Sequence, residues 1–473
     1  MGNISEQIVT DRFAHTNESP TIQCDSKDEY CGGTFKGIER KLDYITNLGV
    51  NAILISPFVL NTNSTDGDGY HGYWPQDIYT IDPNFGTEQD LIDLVSACHV
   101  HKIWVMADLV IHHMGYLDGC PESSKCDDPD EEAFSKFTPF NKSEHYDEVD
   151  KWSRNLPKLN HTNRFVRTTL VSWTQTLVPQ YGFDGIRFSD IDDIPKDLLS
   201  ELNNATGVFT IGQASTGISE AVLASYQSVL DSVFDDDMYS ALDAFFNQSA
   251  HSNGYHLLPD KLSLRWGLYE DSSVLGGYID NGTVGRFLGN NHDFTKLRNA
   301  LAYLLMADWI PFIYYGTEQG PEFTGDTTNH ESLWPYYVEE RYLYKFISTI
   351  LKHRRNLFDA EVSKNQDAEQ VECTCDIDFY SFARKMTFVA IYAGGYSAST
   401  QGYLIRNHPF EKGTVLTNIF DQTDRVTVQK NGTFYVIIDK GEPKIYSRGF
   451  KLSQTIFLVL AMSLTICQLF NGF

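Results

Sequence analysis

Asp108, His113, Arg187, Ser189, Gln213 and the pair His292-Asp293 are polar residues that close apolar runs in this chain. Their types describe a reaction site with parts missing. A guanidinium, carboxylates and imidazoles can together hold the hydroxyl groups of a neutral polar ligand. Ser189 carries a hydroxyl, which attacks poorly unless a base holds its proton. Gln213 carries an amide, which has no acidic proton to give near neutral pH. Asp293 alone cannot serve as both proton donor and nucleophile. Asp190 is the next carboxylate along, and strand alternation predicts that it faces away from Ser189.

Residues this far apart in sequence meet only if a fold gathers them. The runs 6–10, 52–56, 103–110, 185–189, 209–214, 284–290 and 311–316 read as buried parallel strands, with a weaker one at 232–237. Helical patterns lie between them, as at 87–102 and 294–309, and Thr87 with Asp90 gives the first an N-cap signature. Alternating strands and helices predict an α/β fold, a (β/α)8 TIM barrel with its functional residues at the carboxyl ends of the strands. Residues 114–160 are polar and acidic, too long for a bare loop, and predict an inserted domain. Past Asn356 short alternating runs with Gly and Asn turns predict a C-terminal β-sandwich. The expected division is 1–113 and 161–356 for the barrel, 114–160 for the insertion, 357–446 for the sandwich and 447–473 for a hydrophobic tail.

A formal net charge of -26 over 473 residues repels phosphate backbones, so nucleic acid is excluded as a ligand class. A neutral sugar is compatible with that charge, and 26 Tyr and 7 Trp can supply stacking surfaces as well as core. Asn-x-Ser/Thr sequons at Asn3, Asn17, Asn63, Asn141, Asn160, Asn204, Asn247, Asn281 and Asn431 point to N-glycans and the secretory pathway. Cys24 with Cys31, and Cys120 with Cys126, read as local disulfides, and Cys98 as a buried thiol. The first residues, MGNISEQIVTDRF, carry no signal-peptide pattern. The apolar run Ile456 to Phe470 is short of the ~20 residues of a spanning helix. It falls within the ~10–20 residues of a GPI-attachment tail, which predicts membrane attachment at the cell surface or cell wall.

On TDRFA (10–14), CGGTFKGIERKLDYI (31–45), YHGYWPQDIY (70–79), GIRF (185–188), NNHD (290–293) and YYGTEQ (314–319) the chain resembles the fungal α-amylases, in the α-amylase clan of glycoside hydrolases. The resemblance implies a TIM barrel, an inserted calcium-binding domain B, a C-terminal β-sandwich and an α-1,4-glucan or maltooligosaccharide ligand. It implies sugar stacking by Tyr73 and Trp74, and substrate binding by His113, Arg187, His292 and Asp326. Asp293 takes the position of the transition-state stabiliser, and Asp108 that of the strand-three carboxylate. Ser189 falls where the family has its nucleophilic Asp, and Gln213 where it has its general-acid Glu. Asp192 and Asp193 replace a Lys and a His, and His330 replaces an Arg. At the Ca2+ positions stand His112, Asn160 and Asp193, a weakened set for a hard cation that wants six to eight oxygens. The function expected from these residues is an α-amylase-like surface protein without normal α-1,4-glucan hydrolysis that binds glucan or is wall-associated. The alternatives are an active hydrolase or transglycosylase using Asp190, Asp193 or Asp293, and a structural surface glycoprotein.

Overall fold

The computed structural model describes residues 4–448 apart from 18–23, 25, 27–28, 65–66, 118–130, 149–155, 216, 248–257, 259–261, 263–264, 266, 324–328 and 360–369. Asn3, the Cys120–Cys126 pair, Asp326 and the hydrophobic tail lie outside the described residues. Eight parallel strands form the main sheet. In chain order they are Ser5–Ile8, Ala52–Ile55, Trp104–Leu109, Gly185–Phe188, Phe209–Gly212, Ser232–Val233, Gly276–Gly277 and Ile310–Tyr314, and are named below as barrel strands one to eight. Each strand pairs in parallel with the next, and strand one pairs with strand eight. A parallel bridge between Phe234 and Gly276 joins strand six to strand seven and closes the ring. Leu54, Met106, Ile211, Phe234, Tyr278 and Phe312 pack together as one buried cluster. They come from strands two, three, five and eight and from the ends of six and seven, as the filled interior of a barrel requires. Gly185 makes room for this layer, since a Cβ there would lie 2.9 Å from Met106.

Seven of the eight predicted strands are found, each ending earlier than expected, and the first and last beginning one residue sooner. The exception is 284–290. Its Phe287–Asn290 part is helical, and barrel strand seven is Gly276–Gly277 instead. Two glycines carry no side-chain period, so no apolar pattern marks them. Packing selects them: a Cβ on Gly277 would fall 2.2 Å from the Trp309 ring. The helix Glu88–Val100 has the expected Thr87 cap, and Asp90 completes a reciprocal capping box. Cys24 and Cys31 form the expected disulfide, and Cys98 is a buried thiol.

The C-terminal region holds a six-stranded and a two-stranded antiparallel sheet. Its strands Phe379–Arg384 and Thr387–Tyr392 are buried along their whole length. Alternation divides them between two cores. Tyr380, Phe382, Val389 and Ile391 face the barrel cluster, whereas Phe379, Ala383, Phe388, Ala390 and Tyr392 face the sheet's own core. The helix Phe294–Met306 lies against this junction. Its last carbonyls, which a helix cannot satisfy itself, receive arginines. Arg354 donates to Leu305, Ala307 and Trp309 at 2.7, 2.9 and 2.7 Å. Arg384 donates to Ala307 at 2.5 Å.

One buried group makes the fold sensitive to pH. Glu6, on barrel strand one, is fully buried, and neither carboxyl oxygen has a hydrogen-bond partner among the described residues. Burial, with the nearby Glu318, pushes its pKa well above the usual carboxyl range. Glu318 is better provided for, accepting the Tyr44 hydroxyl at 2.6 Å. A raised pKa means the folded chain holds the proton more tightly than the unfolded chain. Stability is then full below the unfolded carboxyl value and falls as pH climbs through the folded value. Glu6→Gln removes that fall. We expect the variant to melt with the parent near pH 4 and to be the more stable by ~1–3 kcal/mol near pH 8, measured by thermal unfolding across that range.

Candidate active site

Strand register sets the floor of the site. Asp108 on barrel strand three is the direct neighbour of Arg187 on strand four. The two form an ion pair with both side chains buried. Tyr73 donates its hydroxyl to the same Asp108 oxygen at 2.6 Å, and Arg187 reaches that hydroxyl at 3.1 Å. Burial raises the Asp108 pKa, and the Arg187 charge works against that rise. The other Asp108 oxygen and the Arg187 Nε have no hydrogen-bond partner among the described residues. Tyr73 and Trp74 are half-buried, with His71 edge-on to Trp74 at 4.6 Å and Tyr116 at 4.8 Å. His113 sits beside this floor, its Nδ1 2.9 Å from the Met114 carbonyl.

Ser189 and Gln213 come to adjacent strand ends, because Phe188 pairs with Gly212 one residue earlier. Ser189 is 3% exposed and donates its hydroxyl to the Leu109 carbonyl at 3.2 Å. That oxygen takes no proton, so the hydroxyl is held without a base. Gln213 donates through Nε2 to Asp236 at 2.9 Å. Asp236 also accepts the Tyr278 hydroxyl, and burial pushes its pKa up to about 6. The sequence reading missed Asp236. It follows strand six, and the weak apolar run there, ending in three aspartates, was its only mark.

Three expectations about site residues are corrected. Asp190 does not turn away. Strand four ends at Phe188, and Asp190 adopts a left-handed backbone with φ 50° and ψ 48°, so strand alternation no longer applies. Its carboxylate lies 3.5 Å from His112 Nε2. Burial lifts its pKa to about 6, against the lowering effect of Arg187. His292 and Asp293 do not reach a strand end. His292 is exposed. Asp293 caps the helix Phe294–Met306, accepting from Thr295 N at 2.7 Å and Lys296 N at 3.2 Å. Its second oxygen accepts Tyr396 N of the C-terminal sheet region at 3.1 Å. The segment that follows strand seven is Tyr278-Ile279-Asp280-Asn281-Gly282-Thr283. A Cβ on Gly282 would stand 2.9 Å from His330, whose imidazole accepts or donates at Tyr70 Oη over 2.9 Å. Burial takes the His330 pKa down to about 3, so the ring is neutral.

The expected calcium positions do not assemble a hard-oxygen set. Asn160 spends its carbonyl on Thr162, accepting from the backbone N at 3.1 Å and from Oγ1 at 2.6 Å. Asp193 is paired with the Lys158 ammonium. His112 presents an imidazole, kept neutral by burial. Asp192 accepts the Ser215 backbone N at 2.8 Å. A dication bound by six or more oxygens does not fit these partners.

The described structure is thus a (β/α)8 barrel with a buried carboxylate–arginine pair at its mouth, an aromatic rim and antiparallel sheets after the last helix. Residues 7–216 match the model of the alpha-amylase catalytic domain. The chain is 30% identical to an alpha-amylase of Saccharomycopsis fibuligera over 463 residues, covering 93% of this chain and 90% of that protein. It is 34% identical to alpha-amylase mde5 of Schizosaccharomyces pombe over 382 residues, covering 75% and 70%. The solved structure of an alpha-amylase from Malbranchea cinnamomea superposes with a TM-score of 0.85 at 26% identity, covering 94% of this chain and 96% of that one. The chain belongs to the alpha-amylase family.

The Asp108–Arg187 pair gives a direct test of the site's construction. Removing one partner leaves the other charged and buried, which costs ~3–5 kcal/mol. Arg187→Met is expected to lose that much in urea unfolding. Adding Asp108→Asn to Arg187→Met is expected to recover more than half of it, and an additive pair of losses would show that the two charges do not depend on each other.

Proposed function

We propose that this family member holds α-glucan or maltooligosaccharide in the strand-end groove without normal α-1,4-glucan hydrolysis. The observation that carries the reading is the pair Ser189 and Gln213 at neighbouring strand ends. A retaining glycosidase needs two carboxyl groups roughly 5–5.5 Å apart, one to attack and one to donate a proton. Here a hydroxyl without a base and an amide without an acidic proton stand in those positions. Strand seven extends the argument. The family's Asn-His-Asp motif belongs after that strand, and the residues there are Asn281-Gly282-Thr283. Thr283 then replaces the third carboxylate as well. In this reading Tyr73 and Trp74 stack sugar rings, while His113, Arg187 and Asp108 bind hydroxyls. His292 has no part in it, and Asp326 retains the substrate-binding role the resemblance implies. Residues 114–160 are domain B and 357–446 the C-terminal sandwich.

The same reading puts the protein on the cell surface or cell wall, reached through the secretory pathway and held by a GPI anchor cut from the hydrophobic tail. The Cys24–Cys31 disulfide supports an oxidising compartment. The sequon side chains of Asn17, Asn141, Asn204, Asn247 and Asn431 are exposed and can take N-glycans. Asn281 is 9% exposed, so it is a poor acceptor. Among the described residues no helix is long and apolar enough to cross a membrane.

Asp236 favours a second reading, an active hydrolase or transglycosylase. It is a half-buried carboxyl touching Gln213, with a pKa near that of a working acid, and Asp190 stands at the end of strand four. One set of assays separates the readings. Purified glycosylated protein is expected to bind maltoheptaose in calorimetry and to release no reducing sugar. Its turnover should lie thousands-fold or more below that of an amylase. Trp74→Ala should weaken binding about tenfold. Ser189→Asp with Gln213→Glu and Thr283→Asp should raise turnover above the parent. Turnover by the parent that disappears in Asp236→Asn would establish the second reading, and no maltoheptaose binding would leave a structural surface glycoprotein.

A further inference from the structure

The donors beside the groove suit a different metal from the one the family resemblance implies. Ligating atoms of His112, His113 and Asp190 all lie within 4.8 Å of one another. The two imidazole rings stand 4.0 Å apart and 75° inclined, and His112 Nε2 is 3.5 Å from Asp190 Oδ2. Around a tetrahedral zinc, with bonds of about 2.0–2.1 Å, donor atoms sit roughly 3.3–3.5 Å apart. One edge of such a polyhedron is therefore already in place, and side-chain rotation of about 1 Å closes the others.

The supporting shell has the same character. The Met114 carbonyl accepts the Nδ1 proton of His113, which leaves Nε2 as the lone-pair nitrogen. A metal-binding histidine is oriented by this kind of bond. His112 and His113 are 3% and 6% exposed. The Asp190 side chain is 41% exposed, which leaves an open side for water. Asp190 reaches the histidines only through its left-handed backbone, a conformation that aspartate tolerates better than most residues. The neighbouring cations are already balanced, Lys158 by Asp193 and Arg187 by Asp108.

We infer that His112, His113 and Asp190 form a site for a borderline divalent transition metal, zinc by preference, with water completing its coordination. Two imidazoles and one carboxylate match zinc and leave calcium short of oxygens. The inference stands apart from glucan binding by Arg187 and Asp108, and assigns His113 to the metal in place of a sugar hydroxyl.

Full-length glycosylated protein, stripped with a chelator, is the material for the test. ZnCl2 titrated in a calorimeter should bind with one equivalent per chain, whereas CaCl2 at the same concentrations should give no such isotherm. Co2+ should give a visible absorption band that Zn2+ displaces. Asp190→Asn and His112→Gln should each weaken zinc binding tenfold or more. His99→Gln, at an exposed histidine elsewhere, should leave it unchanged. Circular dichroism establishes that each variant is folded, and if His112→Gln is not, the half-exposed Asp190→Asn decides alone. Absence of a one-to-one zinc isotherm, or a zinc affinity that Asp190→Asn leaves intact, overturns the inference.

Discussion

The geometry of the groove rests on a buried charge pair, Asp108 with Arg187. Moving two charges out of water is expensive, and only close mutual pairing with further hydrogen bonds offsets the desolvation. Barrel register supplies the pairing, since the two residues are direct neighbours on strands three and four. Tyr73 supplies the extra hydrogen bond. With Ser189 and Gln213 uncharged, Asp108 is the counter-charge in direct contact with Arg187, and Asp190 adds to it from farther off. The Arg187 charge is thus balanced by Asp108 at the strand ends. A neutral polyol meets no electrostatic penalty there, and a phosphate ester gains little from an arginine already paired.

Several carboxylates of this chain serve architecture. Asp293 holds the first turn of the helix Phe294–Met306 and, through its second oxygen, the backbone at Tyr396. The far end of that helix is held by Arg354 and Arg384. Both ends are thereby fixed against the C-terminal sheet, and the helix feeds directly into barrel strand eight. A side chain committed to three backbone amides cannot also stabilise charge at the barrel mouth. Asp11 is spent in the same manner, on the backbone N of Cys31 and Gly32 beside the disulfide.

Much of this was legible in the sequence because it follows from periodicity. Strands one to five and eight carry β-branched and aromatic runs, and Thr87 with Asp90 spells out a helix start. The Tyr73, Asp108, Arg187 and His113 grouping follows once those strands are placed. What was not legible depends on backbone conformation or on packing by distant residues. Strand seven is two glycines selected by Trp309 and closed by a bridge to Phe234. The motif at 290–293 looked like a strand end because its letters matched, but the helix that begins at Phe294 needed a cap. Asp190 broke the alternation rule because the strand had already stopped at Phe188. Asp236 had no pattern of its own, and its place is set by Gln213 and Tyr278.

The loops after strands three and four are tied together by an ion pair and by backbone hydrogen bonds. Lys158 carries its charge on a side chain and meets Asp193, so an internal cation stands between the insertion and the barrel. The backbone adds to this link, with Leu159 N donating to the His112 carbonyl at 2.8 Å and Lys158 bridging His113. His161 Nε2 lies 3.0 Å from the Ile111 carbonyl. A lysine–carboxylate pair of this exposure is worth only ~1 kcal/mol or less on its own. The junction therefore draws its rigidity chiefly from these backbone bonds and from the buried histidines packed behind them. That arrangement holds the loop after strand three in position beside the strand ends.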